Sequence, residues 1–166
     1  ATLAFELATA ILTATGDEPE HRVREQVAAM SHPNLSVLRR RPKDSKSYYT
    51  VIRVEDVREL REGLHHTRGR AGHRIAVLDS IDECNANAAN ALLKTLEEPP
   101  PDTTFFLISH RPGQLLPTIR SRCHNLALRP LSDQLVADVV SASVPELEAS
   151  ALERAVHLAG GRPRRA

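Results

Sequence analysis

Apolar residues recur at helical spacing where the chain begins. Two adjacent series with a spacing of four residues form one apolar face, namely Leu3, Leu7 and Ile11 and, beside them, Ala4, Ala8 and Leu12. Charged helical patterns follow over residues 22–30 and 57–66. This spacing predicts three helices, the first of which ends near Gly16.

Several short segments instead have the composition of strands. They comprise residues 32–38, which form a turn leading into a strand, and residues 49–54, 75–79, 105–109 and 125–128. The runs at 75–79 and 105–109 are continuously apolar, which is typical of buried strands in a parallel sheet. Between them, Asn85 is expected to cap a helix that the prolines at 99–101 must end.

From Leu131 onward the pattern is only helical. Ser132 is expected to cap one helix, and a second passes through Leu152 and Val156 to Gly160. Strands that alternate with helices, followed by helices alone, predict two domains. We expect an α/β domain with a parallel sheet and flanking helices over residues 1–129, and the start of an all-helical domain over residues 130–166.

Composition and charge exclude several classes of protein. Of 166 residues, 41% are hydrophobic and 26% charged, with a formal net charge of +1, which indicates a globular chain without an overall field for nucleic acid. Cys84 and Cys123 are far apart, and the eight histidines lack ligand spacing, so we expect reduced thiols and no metal site. No apolar run reaches the roughly 20 residues of a membrane helix. These features favour a cytoplasmic protein without a membrane partner.

Two motifs carry a resemblance to a known family. Residues 90–100 have the sequence NALLKTLEEPP, and Ser121-Arg122-Cys123 follows the last long apolar strand. Together they resemble the AAA+ clamp-loader family of bacterial DNA polymerase III, and within it the delta prime type. The residues of this resemblance are Asn90, Leu92, Leu93, Lys94, Glu97, Glu98, Ser121, Arg122 and Cys123. The alternative for the first motif alone is an ordinary capped, leucine-rich helix before prolines.

The resemblance implies a P-loop NTPase-like fold and a role for Arg122. In this family the arginine reaches the ATP bound by a neighbouring subunit, where an always-charged guanidinium stabilises phosphate charge. The other interpretation of Arg122 is a surface arginine that caps the preceding helix. No nucleotide is expected on this chain, and ATP with magnesium is expected at the neighbour.

The end of the strand at residues 75–79 differs from that of active relatives, which carry Asp-Glu there. This chain has Asp79-Ser80, and a serine hydroxyl is too weak a base to replace the glutamate. An alternative register would use Asp82-Glu83 as the acidic pair. We disfavour it because Asp79 would then lie inside the strand, and we expect Asp82 and Glu83 to form a solvated turn.

Other expected nucleotide-site elements are absent or weakly marked. The phosphate-binding glycine loop is missing, and the first four residues resemble those that follow its lysine, so we expect the chain to begin after the first strand and that loop. Ser109 lies at the first-sensor position, or is only a serine at a strand end. Arg164 resembles the second-sensor arginine, with DNA phosphate contact or surface solvation as alternatives.

The resemblance therefore implies a clamp-loader subunit that does not hydrolyse ATP, in a holoenzyme that is a DNA-directed DNA polymerase and nucleotidyltransferase. Its implied partners are gamma or tau and delta subunits and, indirectly, the sliding clamp and primed DNA. The alternatives are an ATP-hydrolysing gamma/tau-type subunit or other AAA+ ATPase, and a plain nucleic-acid-binding module. One departure concerns residues 31–49, which lack the four zinc-binding cysteines of many delta prime subunits. Either this lineage lacks that zinc module or the subunit type is different.

Overall fold

The computed structural model describes residues 1–45, 47–65 and 71–163. Contacts divide the chain into two units, Ala1–His124 and Asn125–Ala166. The first unit contains, in chain order, α1 (Thr2–Thr15), α2 (Glu20–Ala28), β1 (Leu35–Leu38), α3 (Val54–His65), β2 (Arg74–Asp79), α4 (Ala86–Glu97), β3 (Thr103–Ile108) and α5 (Pro117–Arg120). Short 3-10 helices lie at Ile81–Glu83 and Pro112–Gln114. The second unit contains α6 (Asp133–Ser143) and α7 (Ala149–Ala159).

The three strands form one parallel sheet in the order β1-β2-β3. Leu35 is paired with Ile75, and Ile75 is paired in turn with Thr104. The central strand β2 is buried because both of its edges are paired and both of its faces are covered by helices. The predicted parallel sheet with flanking helices is thus confirmed, as is the end of its central strand at Asp79.

Alternation along β2 divides the core into two hydrophobic clusters. Ile75 and Val77 pack with the buried residues of α1 and α2 in the first cluster. Leu78 packs with buried residues of α3 and α4 in the second cluster. The sheet therefore fixes α4, which carries the first sequence motif, on a shared core.

The buried stripe of α1 is narrower than its apolar pattern suggested. Ala4, Ala8 and Leu12 are buried, whereas Leu3 and Leu7 are about two-fifths exposed, at 40% and 38%. Small alanine side chains allow the helix backbone to lie close to its neighbours, so the leucines one position earlier remain at the rim of the interface.

The helix predicted after Asn85 is capped as expected. The Asn85 side chain accepts a hydrogen bond of 2.8 Å from the backbone N–H of Ala88, and α4 ends at Glu97, before the prolines. Leu92 is fully buried on its inner face, and Leu93 is half-buried against the second cluster.

Two predicted strands do not form. Within residues 49–54, only an isolated bridge between Ile52 and Cys84 is present, because Asp56 accepts the Arg53 backbone N–H and residue 54 begins α3. Residues 125–128 are also not a strand, and Leu126 and Leu128 are exposed.

The second unit is a helical pair with its own small core. Val136, Val140 and Ala159 form its buried centre, and Ser132 caps α6 by accepting from Leu135 N–H at 3.4 Å. Gly161 has a positive φ of 75° and its carbonyl accepts from Leu131 N–H at 2.9 Å. The division into an α/β domain over residues 1–129 and an all-helical domain that starts at residue 130 stays a prediction. No helix in the described part of the chain has the length and apolarity needed to cross a membrane.

Candidate functional site

The carboxyl ends of β2 and β3 carry a hydrogen-bonded cluster around Asp82. Ser80 donates its hydroxyl to Oδ2 of Asp82 at 2.9 Å, and Ser109 donates to Oδ1 at 2.7 Å. The backbone N–H of His110 also donates to Oδ2. Parallel strands end at the same edge of the sheet, and Asp82 therefore joins residues 27 and 28 positions away in sequence.

This geometry corrects the expectation for Asp82. It was expected in a solvated turn, but its carboxylate is half-buried in the 3-10 helix Ile81–Glu83. Burial alone would raise the pKa of Asp82, but hydrogen bonds from His110, Ser109, Ser80 and Arg111 bring that pKa below its ordinary value. The carboxylate is thus ionised and occupied by protein donors.

Asp79 and Ser80, the predicted remnants of a nucleotide site, differ in their surroundings. Asp79 is the last residue of β2 and is half-buried. Ser80 is 6% exposed, and its hydroxyl is held by Asp82. Ser109 lies one residue beyond β3, with its hydroxyl also held by Asp82. Arg164 lies outside the described residues.

The two sequence motifs meet at Arg122. Nη2 of Arg122 lies 2.7 Å from Oε1 of Glu97, and Nη1 donates to the carbonyl oxygen of Thr118 at 2.9 Å. The second contact caps α5, as the helix-capping interpretation of Arg122 expected. Ser121 donates its hydroxyl to the same Thr118 carbonyl at 3.1 Å. The guanidinium is therefore held at two points while its side chain remains 35% exposed.

Cys123 has a packing role beside this arginine. It is half-buried against the second hydrophobic cluster, and burial raises the pKa of its thiol. A protonated, partly buried thiol is suited to anchoring the turn and not to reacting.

A basic groove between α3 and α4 was not found from the sequence. The cavity has a volume of about 410 Å³ and is lined by Arg58, Arg61, Lys94, Asn87 and Asn90, together with apolar residues. Three residues of the NALLKTLEEPP motif, Asn90, Ala91 and Lys94, thus line this groove. Arg58 and Arg61 are three residues apart on α3, and this spacing places them on one face of the helix. The sequence did not show that α4 packs beside that face.

The remaining motif residues divide by exposure. Leu92 and Leu93 belong to the packed side of α4, whereas Glu98 is exposed at its end. Within residues 1–45, 47–65 and 71–163, no group of three or more His, Cys, Asp or Glu side chains could hold a metal ion. The described site presents the guanidinium of Arg122 at the surface and the hydroxyls of Ser80 and Ser109, which both donate to Asp82.

Comparison with known proteins identifies subunits of DNA polymerase III as relatives. The family model described as DNA polymerase III, delta subunit, matches residues 1–132. DNA polymerase III subunit delta' of Pseudomonas aeruginosa is 38% identical over 150 residues, which are 90% of this chain and 44% of that protein. DNA polymerase III subunit delta' of Escherichia coli K12 is 36% identical over 135 residues, which are 81% of this chain and 39% of that protein. The chain spans less than half the length of these curated relatives.

A solved structure has the same fold. It is a DNA polymerase III, gamma subunit-related protein from Thermotoga maritima, with a TM-score of 0.54 and 19% sequence identity. The match covers 96% of this chain and 59% of that one. At this identity the match supports the α/β fold with its parallel sheet and flanking helices, and it carries no further conclusion.

Proposed function

The chain belongs to the DNA polymerase III delta prime family, and from this membership we propose that it serves as a clamp-loader subunit without ATPase activity of its own. In this proposal it donates Arg122 to the ATP site of a neighbouring gamma or tau subunit. It also contacts the delta subunit and helps to place the sliding clamp on primed DNA.

The observation that carries the proposal is the exposed, oriented guanidinium of Arg122. Its hydrogen bonds go to Glu97, Thr118 and Ser121, and not to the strand-end cluster around Asp82. A planar group that is always charged and is held at two points can stabilise the negative charge that develops on a transferred phosphoryl group. An arginine so placed is suited to act on a nucleotide that another subunit binds.

The strand-end cluster supports the absence of hydrolysis by this chain. Ser80 stands where active relatives have the carboxylate that polarises water, and a neutral hydroxyl cannot do this near neutral pH. In addition, the hydroxyls of Ser80 and Ser109 both donate to Asp82. Neither hydroxyl can therefore donate to another group without breaking that contact, and an alcohol oxygen is too weak a base to take a proton from water.

The test is ATP turnover by a loader reconstituted with the full-length subunit. Arg122→Ala should slow DNA-stimulated turnover by one or more orders of magnitude, because arginine fingers contribute about 10³- to 10⁵-fold to kcat. Arg120→Ala is a matched control, because Arg120 lies two residues earlier, at the end of α5, and is exposed. Unchanged turnover with Arg122→Ala would remove this residue from the mechanism.

Partner choice is tested by mixing the full-length protein with candidate loader subunits and separating the complexes by size-exclusion chromatography. Co-elution with gamma or tau and with delta is expected. If the protein elutes alone in every mixture, the assignment to the loader is wrong.

A gamma/tau-type ATPase is the second candidate, and one observation favours it. Asp82 is an ionised carboxylate at the strand end, so Asp82-Glu83 could be the acidic pair in place of Asp79-Ser80. Hydrolysis of ATP by the isolated full-length protein, abolished by Asp82→Asn at a temperature where circular dichroism shows that the variant is folded, would support this candidate. We expect no turnover, because the Asp82 oxygens already accept protein hydrogen bonds.

The basic groove supports a direct contact with DNA within the assembled loader. Arg58, Arg61 and Lys94 place three cations along one cavity, whereas the chain as a whole has a net charge of only +1. A local cluster of this kind suits phosphate contacts, which position a duplex without selecting its sequence.

A further inference from the structure

We propose that Glu97 is a positioning residue for Arg122: the ion pair between the two motifs orients the guanidinium before it meets the neighbouring subunit's ATP. This inference rests on the proposed function of Arg122 and adds a role for the carboxylate beside it. Glu97 itself touches no nucleotide in this proposal and acts only through the arginine.

Both ends of the ion pair are fixed to one core. Glu97 is the last residue of α4, and Leu96 before it packs against the second hydrophobic cluster. Arg122 is followed by Cys123, which packs against the same cluster. The distance between the two backbones is therefore set by the folded core.

The contacts orient the guanidinium and leave part of it available. Thr118 holds Nη1 at 2.9 Å, and Glu97 holds Nη2 at 2.7 Å. Two anchored nitrogens fix the plane of the group. A guanidinium carries five N–H donors, and no hydrogen bond from Nε of Arg122 is found in the described parts of the chain. Donors thus remain for a phosphate oxygen while the orienting contacts persist.

Stability does not explain the pair. The side chains of Arg122 and Glu97 are 35% and 47% exposed, and exposed ion pairs contribute little to folding because water and salt screen them. Orientation is a different effect, since an arginine held in one conformation loses less rotational freedom when it binds a ligand. The contact should therefore affect turnover more than it affects folding.

The experiment compares Glu97→Gln with Glu98→Gln in the reconstituted loader. Glutamine keeps the shape of the side chain but removes its charge. Glu98 is the adjacent exposed carboxylate, and no contact of its side chain is found among the described residues, so it is a closely matched control. We expect Glu97→Gln to lower kcat by roughly two- to fivefold, in keeping with an exposed ion pair, with the KM for ATP and the thermal unfolding midpoint unchanged. Glu98→Gln should leave kcat unchanged, and Glu97→Asp should restore part of the loss.

Combination with Arg122→Ala separates the possible outcomes. Because Glu97 acts through the arginine, Glu97→Gln should cause no further loss in the Arg122→Ala background. A further loss there, an equal effect of Glu98→Gln, no loss with Glu97→Gln, or a rise in turnover would each overturn the positioning role. A rise would mean that the carboxylate competes with phosphate for the guanidinium. If Arg122→Ala does not change ATP turnover, the proposed function fails. If Arg122→Ala slows turnover and Glu97→Gln does not, only the positioning role of Glu97 is rejected.

Discussion

The hydroxyl of Ser109 donates a hydrogen bond of 2.7 Å to Asp82, and this contact ties the end of β3 to the segment that follows β2. Ser80 and the His110 backbone donate to the same carboxylate. The family resemblance places Ser80 and Ser109 in a nucleotide site, but both hydroxyls donate their hydrogen bonds to Asp82. This edge of the sheet is stabilised by contacts within the protein.

Asp82→Asn should therefore destabilise the protein. The amide keeps the size of the carboxylate but loses its charge, and charge-assisted hydrogen bonds at a half-buried site are worth about 1.5 to 3 kcal/mol. Asp79→Asn is the control, because Asp79 is also half-buried and no contact of its side chain is found in the described residues. Urea unfolding of both variants at pH 7 tests this, and equal stability of the two would contradict the role of Asp82.

The effect of Asp82 should also depend on pH in a defined direction. Its pKa is lower in the folded protein, so its contribution is fully present above the ordinary carboxyl pKa of about 3.9. As the pH falls through the folded pKa the carboxylate is protonated, and the difference between wild type and Asp82→Asn should disappear. A difference that grows on acidification would reverse the assigned sign.

Replacing the groove cations should weaken DNA binding by the assembled loader. Alanine at Arg58, Arg61 or Lys94 should lower affinity to a similar extent for primed DNAs of different sequence, and each should reduce the salt slope by about one unit. Lys43→Ala is a control, because Lys43 is exposed and does not line the groove. Binding isotherms over a range of salt concentrations test this, and equal slopes for all variants would exclude the groove from DNA contact.

The sheet could be predicted because two of its strands contain continuous apolar runs. Contacts between residues that are distant in the sequence could not be predicted in this way. The strand ending at Asp79 was found because a buried parallel strand needs no alternation. Residues 125–128 have strand-like composition, yet a strand forms only beside a neighbouring ladder, and local sequence does not specify one. Asp82 was misassigned because its donors Ser109 and His110 come from a different strand end, although adjacent parallel strands do end together. The pairing of Glu97 with Arg122 similarly depends on where α5 packs.

Cys84 should be almost unreactive in the folded protein. Burial, followed by the nearby charges of Glu83, Asp56 and Asp82, raises the pKa of its thiol to about 11. At pH 8 the thiolate fraction is then on the order of a hundredfold below that of a free cysteine, and only the thiolate reacts rapidly. Iodoacetamide labelling followed by peptide mass spectrometry tests this, with denatured protein as the reference. Labelling of Cys84 at the same rate in both states would contradict the prediction.

His32 should remain neutral in the folded protein and make stability fall on mild acidification. It is 6% exposed, and burial lowers its pKa. Its Nδ1 accepts the Asn34 backbone N–H at 3.1 Å, so protonation there would place two donors against each other. Glu18 lies 4.0 Å from Nε2, too far for a direct hydrogen bond, so burial dominates over the attraction of that carboxylate.

The sign follows from proton binding in the two states. Below about pH 6.5 the unfolded chain protonates His32 while the folded protein does not, and stability declines until the pH reaches the folded pKa. His32→Gln keeps an acceptor but cannot titrate, so it should lack this part of the pH dependence. An NMR titration of the His32 ring gives the direct measurement. A midpoint above 6.5 would mean that Glu18 holds the charged form, because attraction to a carboxylate would then outweigh the cost of burying the imidazolium.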